Sequence, residues 1–406
     1  MSEILAFGEV VLVVAAALVL ALVTLRLTRW FPIPGPAIFL GMAALAAYLF
    51  PGLAGHMSIR NAERVAVVCL ILILFQGGME VGWRRFRRAW VPISALGIAG
   101  TFITGVVIAV AAHYLFDFGW TSAAIVGAAL SPTDPAVMFS ILGNREVGGR
   151  SGIILEGESG ANDPVSIALM VSVLEYARGT HPSALTGVED FALAMAVGAA
   201  VGGVGALLLR ELMRHTSLPS EGLYPLRTLA AALAVYGLAT IAHGSGFLAV
   251  FIAGLVVSDV RAPYKLEVER FHKSLASLGE IAVFVVLGLT IDLAVLRQQS
   301  VWLDGLLLAG ALALVARPFA VGPLLLPVKL RWGERLFVMW GGLKGAVPIL
   351  LGTLALLETA PDANRVYGIV FVVVLFSVVI QGTSMPFVAE RLGVPMRRVE
   401  REPGQS

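Results

Sequence analysis

Apolar runs separated by short polar turns follow one another along almost the whole chain, from Ile4 to Arg391. Each is roughly 15–27 residues, about what a helix needs to cross ~30 Å of hydrocarbon. They fall at 4–27, 33–50, 62–82, 89–112, 120–143, 151–177, 190–213, 225–242, 246–260, 271–292, 301–327, 333–357 and 366–391, the eighth and ninth divided only by "HGSG". The pattern predicts an all-α polytopic membrane protein with 13 transmembrane helices. The first run follows no basic segment and exceeds a signal-peptide core in length, so it is read as an uncleaved span.

Composition agrees, with 58% hydrophobic against 14% charged residues and a mean hydropathy of +0.88, which excludes an ordinary soluble domain. The 44 glycines suit helices that approach closely in lipid. Cys69 is alone, so no intrachain disulfide and no thiolate metal cluster can form, and it reads as a small buried hydrophobe. Net charge is only +2, and its distribution carries more information than its sum. On alternate turns sit Arg26 and Arg29, Arg84 to Arg88, Arg145 and Arg150, Arg210, Arg214 and Arg227, Arg261 to Lys273, Lys329 to Arg335, and Arg391 to Arg401. The opposite turns carry only Arg60, Arg64, Arg178, Arg297 and Arg365. The positive-inside rule then puts the N-terminus outside and the C-terminus in the cytoplasm of a plasma (inner) membrane protein.

Against this apolar background, two acids and two bases reach similar depth on four spans. At 1.5 Å per residue Asp163 lies ~18 Å into span six, Asp134 ~21 Å into span five, Lys344 ~16 Å into span twelve and Arg317 ~24 Å into span eleven. Glu158 is about one turn below Asp163, and Glu156 is nearer the cytoplasmic end. Such charges either lock a bundle as ion pairs or mark a substrate or proton pathway, the default for ionisable groups in a membrane. Glu158 and Asn162 are four apart and share a helix face, whereas Asp163 points away, so two different partners are expected. Glu156 reads as a cytoplasmic-entrance carboxylate or as a snorkelling surface residue. Glu280 in span ten reads as scaffold hydrogen bonding or as a pH-sensing group. Gly157, Gly160 and Pro164 should weaken span six around its acids.

Two spans carry helix breakers at mid-depth: "LSPTDPAVM", 130–138, around Asp134, and "WGGLKGAVP", 340–348, around Lys344. Paired discontinuous helices in the two halves of a chain point to a transporter's binding site. Each interruption is the middle member of a triplet, spans four to six and eleven to thirteen, and the triplets run in opposite directions, which predicts an inverted repeat. Asp134 would compensate half-helix N-termini and Lys344 half-helix C-termini, with or without contact to an ion.

The segments "SPTDPAV", "EGESGANDP", "ARPFAV" and "WGGLKGAVPI", in this order, and "HGSGFLAVFIAGLVVSD" at 243–259, resemble the cation:proton antiporter-1 family of sodium/proton exchangers over essentially the whole chain. The resemblance implies an inverted-repeat antiporter fold with two discontinuous crossing helices. Scaffold and dimerisation helices would occupy 1–88 and 225–292, ion-translocation core helices 89–177 and 301–391, a linker helix 190–213 and a short cytoplasmic tail 392–406, the whole forming a homodimer. It further implies that Asp163 alternately carries cation or proton, that Thr133, Asp134, Asn162 and Ser159 line the site, and that Glu158 pairs with Arg317. Because Asn162 stands where charge-moving relatives have a second aspartate, one-for-one electroneutral exchange is expected. Lys344 departs from the arginine usual in the glycine-rich break. A separate regulatory domain is not expected after Arg391.

The expectation is therefore a secondary antiporter, not an enzyme, that serves pH homeostasis. It exchanges Na+ first, or K+ or Li+, for H+ at Asp163 as a core moves past a scaffold, and uses neither cofactor nor nucleic acid. Two alternatives come from other classes. A cation channel could share the same polar core. An intramembrane serine protease could use Ser159 of "GESG", but would need a histidine within hydrogen-bond reach, and His56, His113, His181, His215, His243 and His272 fall in loops or at span ends.

Overall fold

Helix follows helix because the hydrocarbon leaves each backbone group no partner but its own segment. The computed structural model describes residues 34–50, 57–134, 145–179 and 184–398, with a few isolated positions between 15 and 23. Most of the expected first span, and residues 135–144 at the end of the fifth, lie outside the described residues. In chain order the helices are α1 Gly35–Leu49, α2 Ile59–Val81, α3 Trp83–Arg88, α4 Trp90–Phe116, α5 Trp120–Leu130, α6 Gly149–Ala177, α7 Ala184–His215, α8 Leu223–Ile241, α9 Gly246–Ser258, α10 Lys265–Leu289, α11 Val301–Leu325, α12 Trp332–Trp340, α13 Ala346–Leu357 and α14 Ala363–Arg391. Among the described residues seven are long and apolar enough to cross a membrane: α2, α4, α7, α8, α10, α11 and α14. The shorter α1, α5, α9 and α13 are apolar as well.

Local chemistry sets several boundaries. Ser58 caps α2 by accepting from the Asn61 amide at 3.2 Å, and Ser245 caps α9 through Leu248 at 3.3 Å. Glu334 reaches back to the Arg331 amide at 2.9 Å to start α12. The "HGSG" division is real, with α8 ending at Ile241 and α9 starting at Gly246.

Three expectations need correction. Helix α6 runs unbroken for 29 residues through Pro164. Its glycines are packing positions: a side chain at Gly157 would strike Ile93, and one at Gly160 the ring of Phe251. Helix α10 begins at Lys265 rather than 271, so His272 lies inside it, buried, 2.7 Å from the Thr228 hydroxyl. The chain is also not wholly helical: β1, Arg145–Val147, pairs antiparallel with β2, Met396–Arg398, which ties the lead-in of α6 to the segment after α14.

Helix α2 packs along α9 and α10, α7 along α9, and α1 along α10, while α4 packs on α5, and α11 and α13 both pack on α14. Close approach depends on small residues, as expected where lipid removes the hydrophobic drive between helices. A methyl group at Gly254 of α9 would meet the Phe75 carbonyl, and one at Gly78 of α2 the Phe251 carbonyl, so these two backbones touch. Gly254→Val therefore overpacks the contact by roughly 1–3 kcal/mol and lowers the apparent melting temperature in detergent. Gly77→Ala, with open space around it, leaves that temperature unchanged or raises it.

Candidate functional site

The stretch after α5 and the gap between α12 and α13 meet. Helix α5 stops at Leu130, and residues 131–134 continue without helical structure; α12 stops at Trp340, and α13 resumes at Ala346. The Asp134 amide donates to the Leu343 carbonyl at 2.8 Å, so each broken segment supplies a partner to the other. Lys344 is fully buried, and its Nζ donates to the carbonyls of Pro132 at 2.7 Å and Ser131 at 3.2 Å. These carbonyls are the ones left over at the C-terminal end of α5, where a cation is favoured. The Lys344 amide donates to Ser377 Oγ at 2.9 Å.

The glycines of "WGGLKG" make room for charges as well as ending a helix. A Cβ at 345 would collide with the Asp134 carboxylate, which therefore sits against the residue preceding α13. A Cβ at 342 would collide with the Arg317 guanidinium. Arg317 Nη1 lies 2.5 Å from Glu158 Oε1, with both side chains almost wholly removed from solvent. The sequence motif is thus a mould around one acid and one base from other helices.

On α6, Asn162 faces α5: its Nδ2 donates to Thr133 Oγ1 at 2.7 Å, and its Oδ1 accepts from the Thr133 amide at 3.4 Å. Asp163 is buried, and its Oδ1 has no hydrogen-bond partner. Asp134 and Lys344 are close enough to interact with it electrostatically. Ser159 is buried one turn earlier on the Asp163 face. A buried carboxylate oxygen without a donor is costly unless something neutralises it. The surrounding oxygen atoms, from carboxylate, amide and hydroxyl groups, are of the kind hard cations accept.

The remaining candidates separate from this cluster. Glu156 pairs with Arg85 of α3, at 3.2 Å. Glu280 Oε1 on α10 is buried without a hydrogen bond, so this oxygen does not serve the scaffold bonding considered for it. Among the described histidines, His113 contacts the Phe118 carbonyl, His215 contacts Glu211 and His272 contacts Thr228, and none bonds Ser159.

Several participants were not singled out from sequence. Ser377 joins Lys344 to Gln381, whose Oε1 accepts from the serine hydroxyl at 2.7 Å. Ser131 and Ser166 hydroxyls lie 2.9 Å apart, linking α6 to the end of α5. Three π-helical stretches border the site: Ala95–Gly100 in α4, where Gly97 packs on Ala161; Leu312–Ala316 in α11, immediately before Arg317; and Ser377–Gly382 in α14. Such stretches concentrate at functional sites because they re-aim side chains within a helix. The polar Ser377 and Gln381 inside an apolar span were the available signal.

Ionisable side chains gathered where helical structure stops within an apolar bundle define a secondary-transporter type of site. Comparisons with known proteins reach the same class. Residues 14–391 match the family model for the transmembrane part of the sodium/hydrogen exchangers, and the chain belongs to that family. It is 33% identical over 398 residues to the K(+)/H(+) antiporter NhaP of Alkalimonas amylolytica, covering 96% of this chain and 68% of that one. It is 34% identical over 357 residues to the K(+)/H(+) antiporter NhaP2 of Shewanella oneidensis, covering 87% of this chain and 62% of the relative. The chain thus spans about two thirds of these relatives' lengths. The fold is similar to that of the sodium proton antiporter MjNhaP1 of Methanocaldococcus jannaschii, with a TM-score of 0.78 at 23% identity over 94% of this chain and 100% of the other.

Removing one member of the buried pair strands the other. Arg317→Met should cost roughly 3–5 kcal/mol, whereas the double variant with Glu158→Gln should recover most of the loss, since a buried pair adds little over neutral packing. Unfolding midpoints of the purified single and double variants measure the difference.

Proposed function

We propose that this chain exchanges an alkali cation for a proton, one for one, with the two competing for Asp163. The supporting observation is the charge balance around that residue. Asp163, Asp134 and Glu158 face Lys344 and Arg317, so with every group ionised the cluster carries one uncompensated negative charge; Asp163 Oδ1 and Glu158 Oε2 both lack a hydrogen-bond partner, but Arg317 already holds the other oxygen of Glu158. One proton or one monovalent cation neutralises it. A core formed by α4 to α6 and α11 to α14 then crosses the low-dielectric region without net charge in either loaded state, and the empty state is the costly one. That asymmetry couples the two fluxes, because only a loaded core moves readily past a scaffold of α1, α2 and α8 to α10.

The roles follow from the contacts. Thr133, Asn162, Ser159 and Asp134 offer oxygen atoms around Asp163. The buried Glu158–Arg317 pair serves as a strut between α6 and α11. Lys344 holds the broken α5 to α12 and α13. Sequence reasoning puts Na+ first among the cations, while the relatives at a third identity are named for K+, and these ligands accept either ion. A channel would share the polar core but would not show obligatory coupling. A homodimer in the cytoplasmic membrane, with the basic turns inside, completes the proposal.

In proteoliposomes, Asp163→Asn should abolish cation-dependent proton movement while the variant still purifies with the native melting temperature; persistent exchange would overturn the assignment. With the native chain, K+, Na+ and Li+ are run side by side with and without an imposed voltage, and a response that changes with voltage would sink one-for-one exchange. Because protons compete for the same oxygen atoms, the apparent KM for the cation rises as pH falls, by about tenfold per unit once the site is mostly protonated. A KM independent of pH would exclude competition.

A further inference from the structure

A second charged feature lies outside the central cluster, at the end of the bundle that carries the basic turns. A cavity of about 550 Å3 is lined by Trp83, Arg84, Arg87 and Arg88 of α3, Arg210 and Arg214 near the end of α7, and Asp259 just past α9. Its volume is within the ~300–1,000 Å3 typical of small-ligand sites.

Five guanidinium groups converge here with little to neutralise them. Asp259, whose carboxylate accepts from the Arg84 backbone amide at 2.8 Å, supplies one negative charge against the five. Glu211 lies 3.5 Å from Arg210 and 3.9 Å from Arg214, but all three side chains are more than a third exposed, and such pairs contribute little. Arg87 and Arg88 have no carboxylate partner among the described residues. Their neighbour Arg85 is different, being held by Glu156. Like charges so gathered repel one another, and a bound anion relieves the repulsion. The planar guanidinium fork matches phosphate oxygens in particular.

The surroundings favour a lipid as the source of that phosphate. Trp83 is 43% exposed and Trp90 56%, as in the aromatic belt at a membrane–water boundary. Along α7, toward the membrane from Arg210 and Arg214, Val204, Leu207 and Leu208 present apolar surface that no other described helix covers. Basic pockets between helices at this face suit the headgroups of anionic lipids. We infer that the cavity between α3, α7 and α9 binds the phosphates of an anionic phospholipid headgroup whose acyl chains run along α7. A headgroup there would bridge α3, the link between α2 and α4, to α7 and α9. The inference needs the membrane-spanning family assignment and is independent of the ion site.

The test uses the purified, delipidated full chain in detergent. Added cardiolipin should raise the apparent melting temperature by several degrees, and phosphatidylcholine should not. The variant Arg87→Gln/Arg88→Gln/Arg214→Gln should lose most of that shift, and Lys273→Gln, a basic residue at the same end outside the cavity, should keep it. Native mass spectrometry of the same samples counts bound lipid directly, so it remains informative if the triple variant melts poorly; the variant should retain fewer cardiolipins than the native chain. An unchanged shift and lipid count in the triple variant would overturn the site. Inorganic pyrophosphate matching the cardiolipin shift would overturn the lipid as its occupant.

Discussion

A backbone interrupted at mid-membrane must find hydrogen-bond partners within the protein, and each group left without one costs several kcal/mol. Here the non-helical stretch after α5 and the gap between α12 and α13 satisfy each other. The Asp134 amide takes the Leu343 carbonyl, Lys344 Nζ takes those of Ser131 and Pro132, and Ser377 accepts from the Lys344 amide. The geometry of the remaining site depends on that exchange. It fixes Thr133 beside Asn162 and Asp134 against Gly345, and it leaves room over Gly342 for Arg317.

Much of the architecture was legible in the sequence because membranes impose long, simple patterns. Apolar runs marked the helices, and "HGSG" marked the break between α8 and α9 even though few residues separate them. Prolines and glycines located both interruptions. Where local pattern misled, packing had decided the outcome. Gly157, Gly160 and Pro164 look like breakers, yet α6 is continuous: the glycines admit Ile93 and Phe251 at close range, and the helix runs on through the proline. Lys265 to Arg270 look too polar for a span, yet α10 starts there, since a helix can extend past the hydrocarbon into water.

The site was legible in its charged members and much less so in its supports. An acid or a base in an apolar span announces itself, and Asp163, Asp134, Glu158, Arg317 and Lys344 were found in that way. Ser377, Gln381, Ser131 and Ser166 did not stand out, because serine and glutamine are tolerated in many spans and acquire meaning only from the partner across the interface. The π-helical stretches in α4, α11 and α14 left no local signature either. They arise from tertiary fit, where shifting a residue such as Arg317 or Ser377 by part of a turn brings it to a partner on another helix.

The contacts also indicate which carboxylate is left to exchange its neutralising partner. Glu158 is committed to a guanidinium that stays charged, so protonating it would strand Arg317 in the interior. Asp134 sits against the start of α13, where the helix dipole favours a negative charge, and its own backbone is part of the link between the two breaks. Lys344 spends its donors on carbonyls of α5 and the residues that follow it. Asp163 lies on a continuous helix, and no donor holds its Oδ1. In the proposed exchange, trading a proton for a cation at Asp163 would dismantle none of the contacts that join the stretch after α5 to the gap between α12 and α13.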